Sequence, residues 1–405
     1  MNSAGGAAQP FPAPELLIPD TGEVSFRPQL LAADSPEGAA ELTTLLASGR
    51  VRTVQDTIED QMDELAQCLR PDVRHTPLSL AQARRELCGP LPTWRYGSWV
   101  LYPWAGALVH VLPKAEFRLV RTDRNRNKIT REQQQRLAGR RIGVIGLSVG
   151  NSAAVTLAME GVGGTFRLAD HDRLGLSNLN RLRAGVCDLG AEKTILSARQ
   201  MYLLDPYLDI EVHREGLRED NLGAFFDGAD GSAPLDLLVE ECDSAWAKLA
   251  AREEAARRRI PVLMDANDRG LLDVERFDLE PDRPPFHGRT AGVDAGTVAD
   301  LAGSELVAFL LRIVDSSRIS PEMREALGEV GRTLSSWPQL ASGVMLGGAL
   351  VADTARRILL GEPVPSGRSY VDLAQLIPAA AAPGAQAVDA RTVDARAEAA
   401  GSVAR

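Results

Sequence analysis

RIGVIGLSVGNS, residues 141–152, opens as a short apolar run and turns over at Gly146. An unbroken apolar run of this length is the pattern of a parallel strand buried on both faces. The residues that follow, AAVTLAMEGVG, form a helix, so the stretch reads strand, tight turn, helix. Such a turn can bring backbone N–H groups and a helix N-terminus against phosphate oxygens. Gly146, Ser148 and Gly150 are its candidate phosphate-binding positions, although Ser148 stands where a G-x-G-x-x-G loop has its second glycine. A βα turn with no ligand fits the same letters.

The pattern then repeats. A strand at 165–170 ends in Asp170, a helix is expected over 192–204, and strands over 209–213, 235–240 and 260–265, with a helix at 244–258 before the last. Strands alternating with helices at this pace predict βαβ units and a mostly parallel, Rossmann-like α/β sheet with helices on its faces. Ligands bind such sheets at the carboxyl ends of the strands, where Asp170, 24 residues beyond Gly146, could accept hydrogen bonds from ribose hydroxyls. Gly146 and Asp170 alone suit an NAD-dependent oxidoreductase equally well.

Residues 168–181, LADHDRLGLSNLNR, carry more. A D-x-D at a strand end followed by S-N-L-x-R resembles the ThiF/MoeB/HesA group of E1-like adenylyl-transferring enzymes. The resemblance continues through Asp188–Thr194, DLGAEKT, through LLDPYLDIEV at 203–212 and through DLLVEECDSAWAK at 236–248. Upstream, RNRNKI at 124–129 is similar to the group's arginine segment. The likeness runs from about residue 121 to 269, and more weakly to 372. An NAD enzyme leaves Ser177–Arg181 and Lys193 unexplained.

The resemblance implies an enzyme that adenylates a carboxylate with ATP and Mg2+. The carboxylate attacks the α-phosphorus and pyrophosphate leaves. No protein nucleophile is required, so catalysis rests on orientation and charge stabilisation. Carried over residue by residue, Lys193 and Arg181 neutralise phosphates, Asn178 bonds phosphate oxygens, and Asp170, with Asp172 beside it, faces the ribose. Asp243 holds Mg2+, which favours hard oxygen ligands, or orients the triphosphate. Arg126, or Arg124, reaches a partner's site in a homodimer. Singly, each has a plainer reading: Lys193 a solvated helix residue, Arg181 a surface ion-pair partner, Asp172 a loop brace, Asp243 a cap for the helix starting at Ser244.

Two departures from the group's pattern matter. Ser148 and Val149 replace loop glycines, which also admits a nucleotide-free binding scaffold. The paired zinc cysteines of many relatives are absent, and the four cysteines (Cys68, Cys88, Cys187, Cys242) lie far apart. Cys187 and Cys242 read as small packing residues, Cys187 being the choice if a covalent intermediate exists. The acyl-adenylate of a peptide, a small carrier protein or a small molecule would then pass directly to an external nucleophile.

Outward from this core, residues 15–120 read as a separate α+β module, with the ThiF-like domain at 121–376. Pro36–Arg70 is predicted helical, a second helix spans Leu78–Leu87 with Thr76 as cap, and Ser98–Trp104 with Ala107–Leu112 form a hairpin. Beyond Arg269 helices are expected at 304–314, 321–334 and 339–360, and a last strand near 370. Segments 1–14 and 377–405, rich in Ala, Gly and Pro, are expected to be disordered tails. In all, 405 residues with net charge −10 suit two or three domains and argue against nucleic-acid partners or anionic membranes. No apolar run spans a membrane and no secretory signal is read at the N-terminus, so the expected compartment is the cytoplasm.

Overall fold

A computed structural model describes residues 24–377, apart from positions 232, 300 and 302. The two expected disordered tails lie outside the described residues, except for residue 377. Among the described residues the strands form two sheets.

The smaller sheet holds β1 (Gln29–Ala32), β2 (Thr53–Asp56), β3 (Ser98–Tyr102) and β4 (Ala107–Val111), in the order β1-β3-β4-β2. The expected hairpin is β3–β4, with Ser98 opposite Val111. The single helix expected over 36–70 is two: α1 (Pro36–Ala47) and α2 (Ile58–Leu69), with β2 between them. Gly49, at φ +74°, ends the first run, and β2 pairs in parallel with β4. That pairing is long-range, so the local 3.6-residue pattern does not report it. Helix α3 (Pro77–Cys88) starts where expected, and Thr76 accepts from the Ser79 N–H in a capping box.

After α4 (Lys114–Arg121) and α5 (Arg131–Ala138), the larger sheet takes up β5 (Arg141–Ile145), β6 (Thr165–Ala169), β7 (Asp209–His213), β8 (Leu237–Glu240) and β9 (Val262–Asp265), all parallel. Two antiparallel strands, β10 (Leu271–Glu275) and β11 (Gly367–Tyr370), close one edge, giving the order β11-β10-β9-β8-β5-β6-β7. Strand β10 was not foreseen, because LLDVE interleaves two acids whose burial depends on distant partners. The sheet is flanked by α6 (Gly150–Glu160), α7 (Lys193–Leu204), α8 (Leu222–Asp227), α9 (Ala245–Arg258), α10 (Ala295–Val298), α11 (Gly303–Val314), α12 (Pro321–Ala326) and α13 (Ala341–Leu360). Helix α12 is shorter than the predicted 321–334; turns follow it. This mostly parallel, helix-flanked sheet is the Rossmann-like α/β architecture expected of the sequence. No helix among the described residues is long and apolar enough to cross a membrane.

The two sheets share a core, with Val100, Tyr102 and Val111 in one buried cluster with Ile142, Phe166 and Tyr202. The Tyr207 hydroxyl donates to the Leu112 carbonyl at 2.7 Å, and buried Asp205 pairs with Arg118 at 2.9 Å. The segment 203–212 therefore serves as the seam between them. Helix α13 packs on α6 with Gly348 at the contact, where an added Cβ would overlap the Ser152 side chain. Gly348→Ala should cost about 1–3 kcal/mol of stability by overpacking. Chemical denaturation measures this, and an unchanged midpoint would show that the contact relaxes freely.

Candidate functional site

The chain runs outward from β5 through β6 to β7 and then returns to place β8 on the other side of β5. That reversal opens a crevice at the carboxyl ends of β5 and β8, where doubly wound sheets hold ligands. Gly146 turns into it at φ +81°, and an added Cβ there would lie 2.6 Å from the Glu241 carbonyl and the Cys242 nitrogen. Both the backbone conformation and the approach to β8 require glycine. No side chain caps the N-terminus of α6, which begins at Gly150 with Val149 preceding it. Its first turn can therefore receive an anion.

Asp170 is buried and ties this turn to the loop after β6. Its Oδ2 accepts from the Leu147 N–H at 2.6 Å and its Oδ1 from the Asp172 N–H at 2.7 Å. Burial raises its carboxyl above the usual value, against the pull of the Lys193 charge and of the two N–H groups. Lys193 is only 5% exposed, so it is no solvated helix residue. Its Nζ donates to Asp172 Oδ2 at 2.7 Å. Burial of Asp172 is outweighed by this hydrogen bond and charge, and its carboxyl sits below the usual range. Asp170, His171 and Asp172 also bring ligand atoms within 4.8 Å of one another, as a cation site would. Two N–H groups and one ammonium already use those carboxylates, which makes the trio a brace for the loop.

Arg181 lies across the glycine turn. Its Nε donates to Ser148 Oγ at 3.2 Å, and its other contacts are the Ser177 carbonyl and the Asn180 side chain. Among the described residues no carboxylate pairs with it, and burial lowers its pKa. A half-buried guanidinium without a counter-ion beside an uncapped helix N-terminus is an anion receptor. Asn178 Oδ1 accepts from the Gly175 N–H at 2.9 Å and shapes the loop that presents Arg181.

Asp243 is exposed at the end of β8 and lines, with Val149, a cavity of about 250 Å³. It does not cap α9; the Ser244 Oγ does, accepting from Ala247 N–H at 3.3 Å. Arg126 pairs with Asp123 at 3.3 Å and makes no hydrogen bond or ion pair to another candidate residue. The structure thus brings Gly146, Ser148, Gly150, Asp170, Asp172, Asn178, Arg181 and Lys193 together around the β5–β6 side of the crevice. Asp243 stands on the β8 side, and Arg126 lies apart.

Beneath the site is a buried charge network that the sequence reading missed. Arg252 donates to Glu240 and Glu275, both at 2.5 Å, and the Lys248 ammonium reaches both Glu240 oxygens at 3.1 and 3.2 Å. Burial opposes ionisation of Glu240, but Lys248 and Arg252 outweigh it and hold its pKa at about 2. The available signal was Lys248 and Arg252 four apart on the helix after a strand ending in Glu240. Cys242 Sγ donates to Glu240 at 3.1 Å, and burial with the Glu240 charge pushes its thiol well up, so it is no thiolate. Cys187 is exposed, which overturns its reading as a packing residue.

Burial also raises the Asp265 carboxyl to about 7, against the backbone N–H groups of Asn267 and Ala266. The folded state disfavours the ionised form, so this group costs stability as pH rises from the ordinary carboxyl value to about 7. Asp265→Asn should therefore melt several degrees above the parent at pH 8, with the gap opening between about pH 4 and 7. A gap that ignores pH would show that Asp265 is ionised throughout.

Residues 122–267 match the ThiF family. This segment is a ThiF-family domain. Over 297 residues the chain is 45% identical to the uncharacterized protein MT1398 of Mycobacterium tuberculosis, covering 73% of this chain and 41% of that protein. The ubiquitin-like modifier-activating enzyme 5 of Drosophila ananassae is 26% identical over 136 residues, 32% of this chain and 34% of that one. The chain thus spans well under half the length of these curated relatives. Among solved structures, the E. coli tRNA N6-threonylcarbamoyladenosine dehydratase aligns at 18% identity and a TM-score of 0.41, over 59% of this chain and 94% of that one. E. coli MccB with ATP aligns at 14% identity and 0.41, over 76% and 81%. Likeness of this degree carries no weight for the chemistry. The ThiF domain holds all of the candidate residues named from the sequence.

Proposed function

We propose that the ThiF domain binds ATP across the crevice between β5 and β8 and transfers AMP to a carboxylate. The observation that carries this reading is Arg181, a guanidinium without a carboxylate partner among the described residues, laid over Ser148 at the uncapped start of α6. The naming of the Drosophila relatives as activating enzymes for a ubiquitin-like modifier agrees with it. A carboxylate-bearing peptide, carrier or small molecule is the substrate class.

Triphosphate oxygens would meet the α6 N-terminus and Arg181, while Lys193 exchanges part of its contact with Asp172 for phosphate. Asp170 holds the loop and keeps spare lone pairs for the ribose. Asp243 fits Mg2+ by its chemistry, an exposed hard oxygen donor beside the turn, and that ion would shield charge on the departing pyrophosphate. The protein supplies position and charge, and no side chain forms a bond to substrate.

Carboxylate-dependent exchange of labelled pyrophosphate into ATP tests the reading. ATP binding without exchange for any carboxylate of a broad panel would refute adenylation, and no binding at millimolar ATP would refute nucleotide use altogether. We further propose a homodimer in which Arg126, exposed and, among the described residues, ion-paired only with Asp123, enters the partner's crevice. Arg126→Ala should then lower exchange about tenfold or more while leaving the melting temperature unchanged. A monomer by light scattering under assay conditions would remove this role.

A further inference from the structure

The cavity that begins at Val149 and Asp243 runs away from the glycine turn, between the ends of β8 and β9 and helices α11 and α12. Its far wall comes from residues 307–339, outside the segment that matches the ThiF family. Leu310, Leu311, Val314, Met323 and Leu327 line it and are only half-buried, and Trp337 stands at its side. An apolar cavity of about 150 Å³ suffices for a benzene ring. At about 250 Å³ this one admits an aromatic ring with a short chain attached.

The polar part of the lining is one-sided. Four acidic residues, Glu241, Asp243, Asp265 and Asp268, are among those that line it. Of its two cations, Lys248 is committed to Glu240, and exposed Arg318 has its Cζ 3.7 Å over the Tyr370 ring. Three lining side chains carry buried polar atoms without a hydrogen-bond partner: Asp265 Oδ2, Asn267 Oδ1 and the Tyr370 hydroxyl. Asp265 is 6% exposed. Among these, the Asp265 and Asn267 oxygens are acceptors whose unpaired state costs free energy that a donor would recover. A carboxylate or phosphate offers no donors to the Asp265 and Asn267 oxygens. An amine offers up to three donors and a positive charge.

We propose that this cavity binds a small primary amine with an apolar body, and that the amine is the nucleophile that accepts the acyl group. The second half rests on the adenylation reading; the first does not. The ammonium gives one proton to the Asp265 carboxylate. The neutral nitrogen then attacks the acyl carbon, a C–N bond forms, and the C–O bond to phosphate breaks. AMP leaves with that electron pair, and the second nitrogen proton passes to solvent.

Calorimetry on the full chain, without ATP, tests the binding with three probes: 2-phenylethylamine, its acid counterpart 3-phenylpropionate, and ethylamine, which lacks the apolar body. The expected result is saturable binding of 2-phenylethylamine, about tenfold or more tighter than either other probe. Asp265→Asn, a substitution expected to keep the fold, should weaken it about tenfold. Leu311→Trp should abolish it by filling the cavity. Equal or tighter binding of 3-phenylpropionate would assign the cavity to the acid substrate and overturn the proposal. So would the absence of 2-phenylethylamine binding, or its persistence in Leu311→Trp. Amine binding in a protein that shows no pyrophosphate exchange would leave the site standing and remove adenylation alone. Release of AMP that depends on both a carboxylate and 2-phenylethylamine would support the acceptor role, and AMP release indifferent to the amine would refute it.

Discussion

Lys193→Ala should reduce carboxylate-dependent pyrophosphate exchange by about 100-fold or more. Two anionic reactants must approach each other, and the crevice supplies few cations to permit it. Lys193 is buried, and its one carboxylate hydrogen bond is to Asp172, whose side chain is half exposed. Removing the ammonium leaves Asp172, which water can solvate, and takes a nearby charge from buried Asp170, whose two backbone N–H bonds remain, so only a modest loss of stability is expected. The measurement is exchange at saturating ATP together with a melting curve. A variant that melts with the parent and exchanges at the parental rate would show that Lys193 only braces the loop through Asp172. In that case Arg181, with no carboxylate partner among the described residues, would carry the phosphate charge alone.

The largest stability effect is expected at Arg252. Its guanidinium is fully buried, bridges Glu240 and Glu275, and lies 3.7 Å over the Phe286 ring. Arg252→Met keeps most of the volume but leaves Glu275 buried without its cation and Glu240 with Lys248 alone. Breaking a buried ion network from one side costs about 3–5 kcal/mol. For a chain of this size that is roughly 5 °C in melting temperature. The effect should also reach the site, because Glu240 precedes the Glu241–Asp243 loop and accepts from the Cys242 N–H at 2.9 Å. Thermal melting of Arg252→Met and of Arg252→Met combined with Glu275→Gln separates the causes. The double variant should recover part of the loss. A single variant melting within a degree or two of the parent would show that the carboxylates simply take up protons.

Much of the ThiF domain was legible because its evidence is local. Apolar runs such as Ile142–Ile145, a turn forced to glycine at Gly146, and an acid at the end of β6 announce themselves within a few residues. The S-N-L-x-R loop did so as well. What escaped was whatever depends on a partner far along the chain. Strand β2 looks like a flaw in a helix until β4 pairs with it. Strand β10 looks polar until Asp273 meets His287 and Arg368, and Glu275 meets Arg252.

The same division runs through the site. The sequence determined which residue types gather at the crevice, since strand order and the glycine turn dictate where a phosphate can sit. Only the tertiary structure decided their states. It made Lys193 a buried partner of Asp172, left Arg181 without a carboxylate partner among the described residues, and gave the capping of α9 to Ser244, leaving Asp243 exposed. It also built an apolar cavity from helices that lie far along the chain from the turn. Burial and charge pairing are properties of who is near whom, and in a folded chain nearness across the sheet is independent of nearness along the sequence.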